Sequence, residues 1–303
     1  MPRPTRHSVA PLISAALRED GARADLTSRA VLPKDTPVRA QIVAKAAGVI
    51  AGGQVAGWVF AAMDRRMRYR QVVPEGQAVR PGQVIATVNG DARSVFAAER
   101  VALNLLGHLS GIATAARAYV RRAQGTQAKI FDTRKTLPGL RRLQKYAVRI
   151  GGGRNHRADL RDAVLIKTNH LRALQGAGMT RAAAIRQAVA RARRRAGGRW
   201  LEIEAATLAD MRIALEVRPD AILLDNMSVR QVRAAVQARG RRRRIQLEVS
   251  GGITPVNVRA YAATGVDRIS IGRLTHAAPS LDFALRARSP GRPSWTGSSS
   301  SPT

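Results

Sequence analysis

Positively charged side chains are concentrated around turns between Lys129 and Arg172. Three segments carry them: Asp132-Thr133-Arg134-Lys135-Thr136, Gly151-Gly152-Gly153-Arg154-Asn155-His156-Arg157, and Ile166-Lys167. Arginine binds carboxylate or phosphate through two parallel hydrogen bonds, and glycine lets backbone N–H groups approach an anion closely. The pattern therefore predicts a pocket for a small ligand with several negative charges.

Polar residues follow each of six short apolar runs in the second half of the chain. In α/β barrels the active site forms at the C-terminal ends of the strands, so we interpret these residues as parts of one site. They are Arg134 and Lys135, Lys167, Glu204, Asp225 with Asn226, Ser250-Gly251-Gly252, and Gly272 through His276.

Two of these strand ends are glycine turns, at Ser250-Gly251-Gly252 and at Gly272. Glycine turns after the last two strands of a barrel are a common place for a phosphate, which backbone N–H groups bind. For each turn taken alone, an ordinary connection that needs glycine is the alternative.

Glu204 and Asp225 are acidic residues in an otherwise basic site. They are candidates to bind Mg²⁺ or ribose hydroxyls, with structural salt bridges as the alternative. Neighbouring cations keep both carboxylates ionised, which disfavours them as catalytic acid and base. His156 lies between Arg154 and Arg157, and we predict that it contacts the ligand. The chain has no cysteine and no second histidine at metal-ligand spacing, which disfavours a metal at His156.

Short apolar strands alternate with helical patterns from about residue 127 onward. This alternation predicts a parallel sheet with right-handed crossovers, and six units predict an α/β barrel smaller than the eightfold form. The predicted strands are 129–131, 163–166, 201–204, 221–224, 245–249 and 268–271, and the predicted helices include 180–196, 207–217, 228–239 and 255–264.

The first part of the chain mixes helices and strands. We predict a helix over 8–18 with Ser8 as its N-cap, strands over 38–50 and 67–73, and a compact β-hairpin over 74–88. A long helix is predicted over 94–122, with Gly111 as a candidate break. Residues 289–303 are rich in Ser, Pro and Gly, and predict a disordered tail.

The composition fits a globular chain without disulfides. Its 303 residues are 45% hydrophobic and include no cysteine. No apolar stretch is long enough to span a membrane, and residues 1–10 lack the apolar core of a signal peptide. We therefore expect a cytoplasmic protein that does not bind membranes.

The net charge of +32 is the most unusual bulk property. The runs 191–195 and 239–244 suggest nucleic-acid binding. However, aromatic residues make up only 4% of the chain, and both runs close predicted helices, where the helix dipole favours arginine. We therefore favour solvated helix ends and regard nucleic acid as the less favoured partner.

The motifs occur in a specific order through nearly the whole chain. They are Leu17-Arg18-Glu19-Asp20, Asp25-Leu26-Thr27, Ala98 to Asn104, Leu109 to Thr114, Asp132 to Thr136, Lys145 to Val148, Gly151 to Arg157, Leu224 to Met227, Ser250 to Ile253, and Leu274-Thr275-His276. In these motifs the chain resembles the quinolinate phosphoribosyltransferase family, decarboxylating enzymes that make nicotinate mononucleotide for NAD biosynthesis.

The resemblance implies a role for each candidate residue. Arg134, His156 and Arg157 would hold the two carboxylates of quinolinate, with Lys135 and Lys167 between quinolinate and the pyrophosphate of phosphoribosyl pyrophosphate. Glu204 and Asp225 would bind the ribose hydroxyls and Mg²⁺. The phosphate side would be lined by Ser250, Gly251, Gly272 and His276.

The resemblance also implies an architecture: an N-terminal α/β sandwich domain beside an open-sided, incomplete α/β barrel. The first domain would cover residues 1–112 and be completed by about 277–288, and the barrel would cover 113–276. It implies a homodimer or larger assembly with a shared active site, in which Arg100 enters from the neighbouring subunit.

Seven positions depart from the family pattern: Ala22, Ala24, Ala205, Ala206, Thr168, Asp159, and Arg273 beside the presumed phosphate turn. None of them removes a residue assigned to the chemistry. Two alternatives stay open at this point: a homologous pyrophosphorylase-like protein associated with molybdenum transport, and a nucleic-acid-binding protein on the same fold.

Overall fold

The computed structural model describes residues 3–242 and 244–288, so the predicted tail and Arg243 lie outside the described residues. The chain divides into two compact units. The first unit comprises Thr5–His108 together with the described residues from Leu281 onward, and the second unit comprises Leu109–Ser280 together with Arg3 and Pro4. No helix in the described ranges combines the length and apolar character that a membrane span requires.

The first unit begins with a mixture of helices and short strands. Its elements are α1 (Arg6–Glu19), α2 (Leu26–Val31), β1 (Pro37–Ala44), β2 (Gly48–Val49), α3 (Gly53–Met63), β3 (Arg68–Gln71), β4 (Ala78–Val79), β5 (Val84–Asp91) and α4 (Ala92–Ala123), whose second half belongs to the other unit.

The second unit alternates strands and helices. Its elements are β6 (Lys129–Phe131), α5 (Arg141–Ile150), β7 (Val164–Ile166), α6 (Thr168–Gly176), α7 (Arg181–Arg195), β8 (Leu201–Ala205), α8 (Leu208–Val217), β9 (Ala221–Asp225), α9 (Val229–Arg239), β10 (Gln246–Ser250), α10 (Val258–Ala262), β11 (Arg268–Ser270) and α11 (Arg273–His276). The chain then returns to the first unit as β12 (Phe283–Arg288).

The first unit is built on an antiparallel sheet in the order β12-β1-β5-β3. The predicted hairpin over 74–88 is wrong, because β4 and β5 do not pair with each other: β4 pairs with β2, and β5 pairs with β1 and β3. The single strand predicted over 38–50 is also divided, since β1 ends at Ala44. Helix α1 is capped by Thr5, and Ser8 completes the capping box from inside the helix.

The second unit is a parallel sheet of six strands in the order β6-β11-β10-β9-β8-β7. All six predicted strands are present, and the described strands do not close into a full barrel. This confirms the prediction of an incomplete α/β barrel. Strands β8 and β9 are almost wholly buried, as expected for parallel strands covered on both faces. Thr180, Thr207 and Ser228 cap helices α7, α8 and α9 with their side chains.

Helix α4 is continuous through Gly111, so the glycine is not a break. A Cβ atom at this position would lie 2.0 Å from the carbonyl oxygen of Pro279 and 3.0 Å from Cα of Ser280. Glycine is required here because another backbone segment packs directly against the helix.

We expect Gly111→Ala to destabilise the protein by roughly 1–3 kcal/mol, because the added methyl meets backbone that cannot rotate away. Gly176→Ala is the matched control, since a Cβ there meets nothing within 4 Å and should be neutral or stabilising by up to ~1 kcal/mol. Urea unfolding of both variants measures the difference, and equal stabilities would contradict the steric explanation.

Candidate active site

One cavity of about 660 Å³ collects the predicted site residues of the barrel unit. The strand ends bring them together, as parallel strands require. The predicted residues that line it are Arg134, Lys135, His156, Arg157, Lys167, Glu204, Asp225, Ser250, Gly251, Gly272 and His276. The remaining one, Arg100, is exposed on α4 in the other unit.

The basic end of the cavity is organised by the buried carboxylate of Asp132, which follows β6. Asp132 Oδ1 lies 2.5 Å from Lys145 Nζ, and both side chains are fully buried. The same carboxylate accepts the backbone N–H of His156 at 2.8 Å and the side-chain amide of Asn155 at 2.5 Å. Burial raises the pKa of Asp132, and Lys145 opposes that rise. Asp132 thereby fixes the turn that carries His156 and Arg157.

The three glycines before this turn have a structural role. The N–H groups of Gly151, Gly152 and Gly153 donate to the carbonyl groups of Ala147, Arg149 and Val148 at the end of α5. They are therefore not free to bind an anion, and the prediction that these N–H groups approach the ligand is wrong. The helix end, which exposes unpaired carbonyl groups, competes successfully for them.

Arg134 and Arg157 form a pair of like charges at the cavity wall. The pKa of Arg157 is lowered by burial and then by the positive charge of Arg134. Nη1 of Arg157 donates to the carbonyl of Ala163 at 3.0 Å. Nε of Arg134 is buried and has no hydrogen-bond partner among the described residues. Two close guanidinium groups with an unused buried donor favour an anionic ligand between them.

His156 contacts two buried glutamates that the sequence analysis did not identify. Its Nε2 lies 3.0 Å from Glu202 Oε2 and 3.4 Å from Glu248 Oε1. Arg268 Nε lies 2.5 Å from the other oxygen of Glu248, and Ser270 donates to Glu248 at 2.5 Å. The guanidinium of Arg268 in turn stacks 3.9 Å from the centre of the Phe131 ring.

The proton on the His156 ring is constrained from both sides. Burial lowers the pKa of His156, but Glu202 and Glu248 outweigh it and raise the pKa to about 9. On the other side, the backbone N–H of Arg157 donates to Nδ1 at 2.8 Å. That bond requires a lone pair on Nδ1, which only the neutral ring has, whereas the two glutamates favour the charged ring; a proton on Nδ1 would displace the Arg157 N–H.

The two glutamates differ in their surroundings. Burial and the charge of Glu248 raise the pKa of Glu202, whose Oε1 has no hydrogen-bond partner among the described residues. Burial would also raise the pKa of Glu248, but His156, Arg268 and Ser270 lower it to about 2. His156, Glu202 and Glu248 are close enough to hold a metal ion, yet Arg268 already supplies the positive charge there. We interpret the group as a structural charge cluster.

Glu204 and Asp225 are the residues of the cavity that suit a divalent cation. Glu204 Oε1 accepts the backbone N–H of Thr168 at 3.1 Å, and its Oε2 lies 3.6 Å from Lys167 Nζ. Burial and then the charge of Glu204 raise the pKa of Asp225, while Lys167 and Lys135 lower it. Two close carboxylates with excess negative charge are oxygen ligands of the kind that Mg²⁺ prefers.

The glycine turns form the opposite end of the cavity. Gly251 has a φ of +96° and packs against Asn226, whose Oδ1 would lie 2.1 Å from any added Cβ. Helix α10 begins at Val258 rather than at the predicted residue 255, so several residues separate the glycine turn from the helix. Arg273 and His276 also line this end, and both are exposed.

The missed glutamates lie inside strands rather than after them. All five residues of β8 are buried, so Glu202 resembled an ordinary strand residue. The alternation Leu201-Glu202-Ile203-Glu204 carried a signal, because side chains two apart on a strand point to the same face. Glu202 therefore shares its face with Glu204, a residue already assigned to the site.

A cavity with paired arginines at one end, glycine turns at the other and carboxylates between them, on an open α/β barrel, defines a phosphoribosyltransferase. The sequence models of the N-terminal and C-terminal domains of quinolinate phosphoribosyl transferase match residues 25–110 and 112–286. The chain belongs to the quinolinate phosphoribosyltransferase family.

Individual relatives agree with this assignment. The chain is 44% identical to the nicotinate-nucleotide pyrophosphorylase [carboxylating] of Mycobacterium leprae, over 90% of this chain and 95% of the relative. It is 36% identical to a mitochondrial quinolinate phosphoribosyltransferase [decarboxylating] of Nicotiana tabacum, over 91% and 81%. The crystal structure of NadC from Streptococcus pyogenes superposes with a TM-score of 0.87 at 36% identity, covering 94% of this chain and 98% of that one. These relatives support the phosphoribosyltransferase over the molybdenum-associated and nucleic-acid-binding alternatives.

We expect the buried cluster of His156, Glu202 and Glu248 to make the free energy of unfolding depend on pH under acidic conditions. The pKa of Glu248, about 2 in the folded protein, lies below its unfolded value, so its contribution is present above about pH 4.3 and is lost as pH falls through about 2. The loss is up to ~3 kcal/mol. The Glu248→Gln variant should be less stable than the wild type at pH 6, and its free energy of unfolding should fall less on acidification. Urea unfolding between pH 6 and 2.5 measures both differences.

The control is Glu216→Gln, which removes one carboxylate of an exposed pair with Arg186. Its stability should fall in parallel with that of the wild type, because exposed pairs contribute little. A Glu248→Gln curve parallel to the wild type would show that Glu248 does not carry the effect.

Proposed function

We propose that this protein transfers phosphoribose from phosphoribosyl pyrophosphate to quinolinate and releases pyrophosphate and CO₂, which yields nicotinate mononucleotide for NAD biosynthesis. Quinolinate and phosphoribosyl pyrophosphate are the substrates of the family. In enzyme class it is a pentosyltransferase. The observation that carries the proposal is the arginine pair of the cavity, in which the buried Nε of Arg134 has no partner within the described part of the chain.

The arginine pair suits the dicarboxylate. Arg134 and Arg157 would bind the two carboxylates of quinolinate, since their mutual repulsion is relieved by an anion between them. His156 is also assigned to quinolinate, but both of its ring nitrogens already have partners. Direct binding of a carboxylate by His156 stays a prediction, and it would require one of these bonds to break.

The other end of the cavity suits the sugar phosphate. Ser250, Gly251, Gly272 and His276 would line the 5′-phosphate. Glu204 and Asp225 would hold the ribose hydroxyls and Mg²⁺, directly or through water, and the ion would supply charge to the departing pyrophosphate. Lys135 and Lys167 both act electrostatically on Asp225, which supports the proposal that they contact the pyrophosphate.

The chemistry requires orientation and charge stabilisation more than covalent catalysis. The pyridine nitrogen donates its lone pair to C1′ as the bond between C1′ and the pyrophosphate oxygen breaks. The electron pair of that broken bond leaves with pyrophosphate. The ring nitrogen becomes positive. The bond between C2 and its carboxylate then breaks, CO₂ departs, and the electron pair left on C2 takes up a proton. Lysine and arginine side chains fixed at the strand ends lower the barrier by positioning both anions.

We further propose a homodimer or larger assembly in which Arg100 completes the active site of the neighbouring subunit. Arg100 is exposed, and it belongs to a different unit from the cavity. The cytoplasmic location expected from the sequence stays a prediction.

We expect Arg134→Ala to lower kcat/KM for quinolinate by about 100-fold, because a charged hydrogen-bonded contact contributes roughly 2–3 kcal/mol. The assay supplies both substrates with Mg²⁺ and follows CO₂ and nicotinate mononucleotide. Arg142→Ala, which removes an exposed arginine of the same unit, should retain wild-type activity.

The same assay tests the shared site. Arg100→Ala and Arg134→Ala subunits should each be weak alone and should regain activity when mixed, because one of the two sites in a mixed dimer is then intact. Absence of product from folded wild-type protein would refute the proposed reaction, whereas absence of regain would refute only the contribution of Arg100.

We expect Arg273→Ala to raise KM for phosphoribosyl pyrophosphate by roughly 5- to 30-fold with little change in kcat. Arg273 lines the glycine-turn end of the cavity and has no ion-pair partner among the described residues. It therefore supplies an additional guanidinium for the phosphate. A KM equal to or below that of the wild type would show that this arginine does not strengthen phosphate binding.

A further inference from the structure

The antiparallel sheet of the first unit carries arginine on one face. In one row across the sheet, Arg39 lies opposite Arg288 on one side and Asn89 on the other, and Asn89 lies opposite Arg68. Two residues along each strand, the next row consists of Arg286, Gln41, Thr87 and Arg70. Directly opposed residues point to the same face, so five arginines share a surface about 14 Å wide. We call Arg39, Arg68, Arg70, Arg286 and Arg288 the basic sheet face.

The two sides of this sheet differ sharply in burial. Ala40, Ile42 and Val88, which alternate with the basic rows, are buried. Tyr69 on that side stacks on Phe60 of α3. All five arginines of the basic sheet face are exposed. This face is therefore the uncovered side of a sheet whose other side packs on helices.

The arginines of the basic sheet face are not neutralised by the protein. Within residues 3–242 and 244–288, none of their guanidinium groups forms a hydrogen bond or an ion pair. The nearby carboxylates of Asp35 and Asp64 both pair with Arg66 instead, and that of Asp91, in the row beyond Asn89, accepts hydrogen bonds from Ser94. Five like charges held close together without partners repel one another, and a polyanion relieves that repulsion.

We propose that the basic sheet face binds the phosphate backbone of duplex nucleic acid, as a property additional to the enzymatic activity. Guanidinium groups bind phosphate oxygens in pairs of hydrogen bonds, and the rows present several of them at once. The face has no aromatic side chain, and its other residues are Gln41, Thr87 and Asn89. Binding is therefore directed at the backbone and is independent of base sequence.

A second copy of this chain fits the face less well. The chain has 52 basic and only 20 acidic residues, and several of the acidic residues are already paired internally. A second copy therefore has few unpaired carboxylates to set against the five arginines of this face. A membrane surface also fits less well, because the face offers no apolar side chain to insert beside the lipid headgroups.

The basic sheet face is distinct from the arginine runs seen in the sequence. Arg239 of the second run is buried and pairs with Asp267. Arg193 of the first run donates to the carbonyl of Arg218. The runs are thus partly used within the barrel unit, whereas all five arginines of the basic sheet face are free to bind a ligand.

The test compares two variants of the full-length protein that lose the same charge. Arg39→Gln, Arg68→Gln and Arg286→Gln are combined in the sheet variant. Arg191→Gln, Arg194→Gln and Arg195→Gln are combined in the control variant, which alters exposed residues of α7. Binding of each protein to a fluorescent duplex of about 30 base pairs is measured by anisotropy between 50 and 200 mM NaCl. Circular dichroism verifies folding, and turnover of both variants should match the wild type.

We expect the sheet variant to bind at least ~10-fold more weakly at 100 mM NaCl. The magnitude of the slope of log K against log[NaCl] should fall by about 2.7, since each of the three lost phosphate contacts contributes about 0.9. The control variant should stay within about 2-fold of the wild type. Equal weakening of both variants would overturn the proposal, because it would show a response to net charge alone. No wild-type binding at 50 mM NaCl, or preferential binding to vesicles containing phosphatidylserine over the duplex, would overturn it as well.

Discussion

The site depends on one carboxylate that is fully removed from water. A buried Asp132 must have its charge and its lone pairs satisfied, and Lys145, Asn155 and the N–H of His156 satisfy them. These partners come from α5 and from the turn after it, so a single ion pair ties the end of β6 to both. Removing either partner of such a pair typically costs 3–5 kcal/mol. Asp132 thereby helps to position Arg134, which follows it by two residues, and Arg157, which follows His156.

A second group of buried, paired charges connects further strands of the sheet. Glu248 on β10 holds Arg268 of β11 and faces His156, while Glu202 on β8 holds His156 from the other side. His156 therefore links β8 and β10, through Glu202 and Glu248, to the turn that Asp132 fixes. Asp132, Glu202 and Glu248 are tolerated in the interior of this barrel because each is paired with a basic side chain.

Features set by neighbouring residues, such as the strands and the polar residues at their ends, could mostly be predicted from the sequence. Features that depend on partners far along the chain mostly could not. The six barrel strands and the lining residues from Arg134 to His276 were predictable, because a polar residue after an apolar run is a local pattern. The hydrogen bonds of Gly151–Gly153 were mispredicted, since the sequence does not show which acceptor a backbone N–H will find. Glu202 and Glu248 were missed because burial inside a strand leaves no local mark. The basic sheet face was invisible, because its arginines lie between positions 39 and 288 and only strand register aligns them.

The return of the chain as β12 sets the order in which the two units are completed during synthesis. The sheet of the first unit contains β1, near the start of the chain, and β12, which ends at Arg288. A ribosome has therefore synthesised all of Leu109–Ser280 before the strand that completes the first unit exists. Until β12 is available, the nascent sheet has β1 as an open edge. A chain that stops before Leu281 would keep that edge unpaired, and exposed edges of this kind invite pairing with other chains.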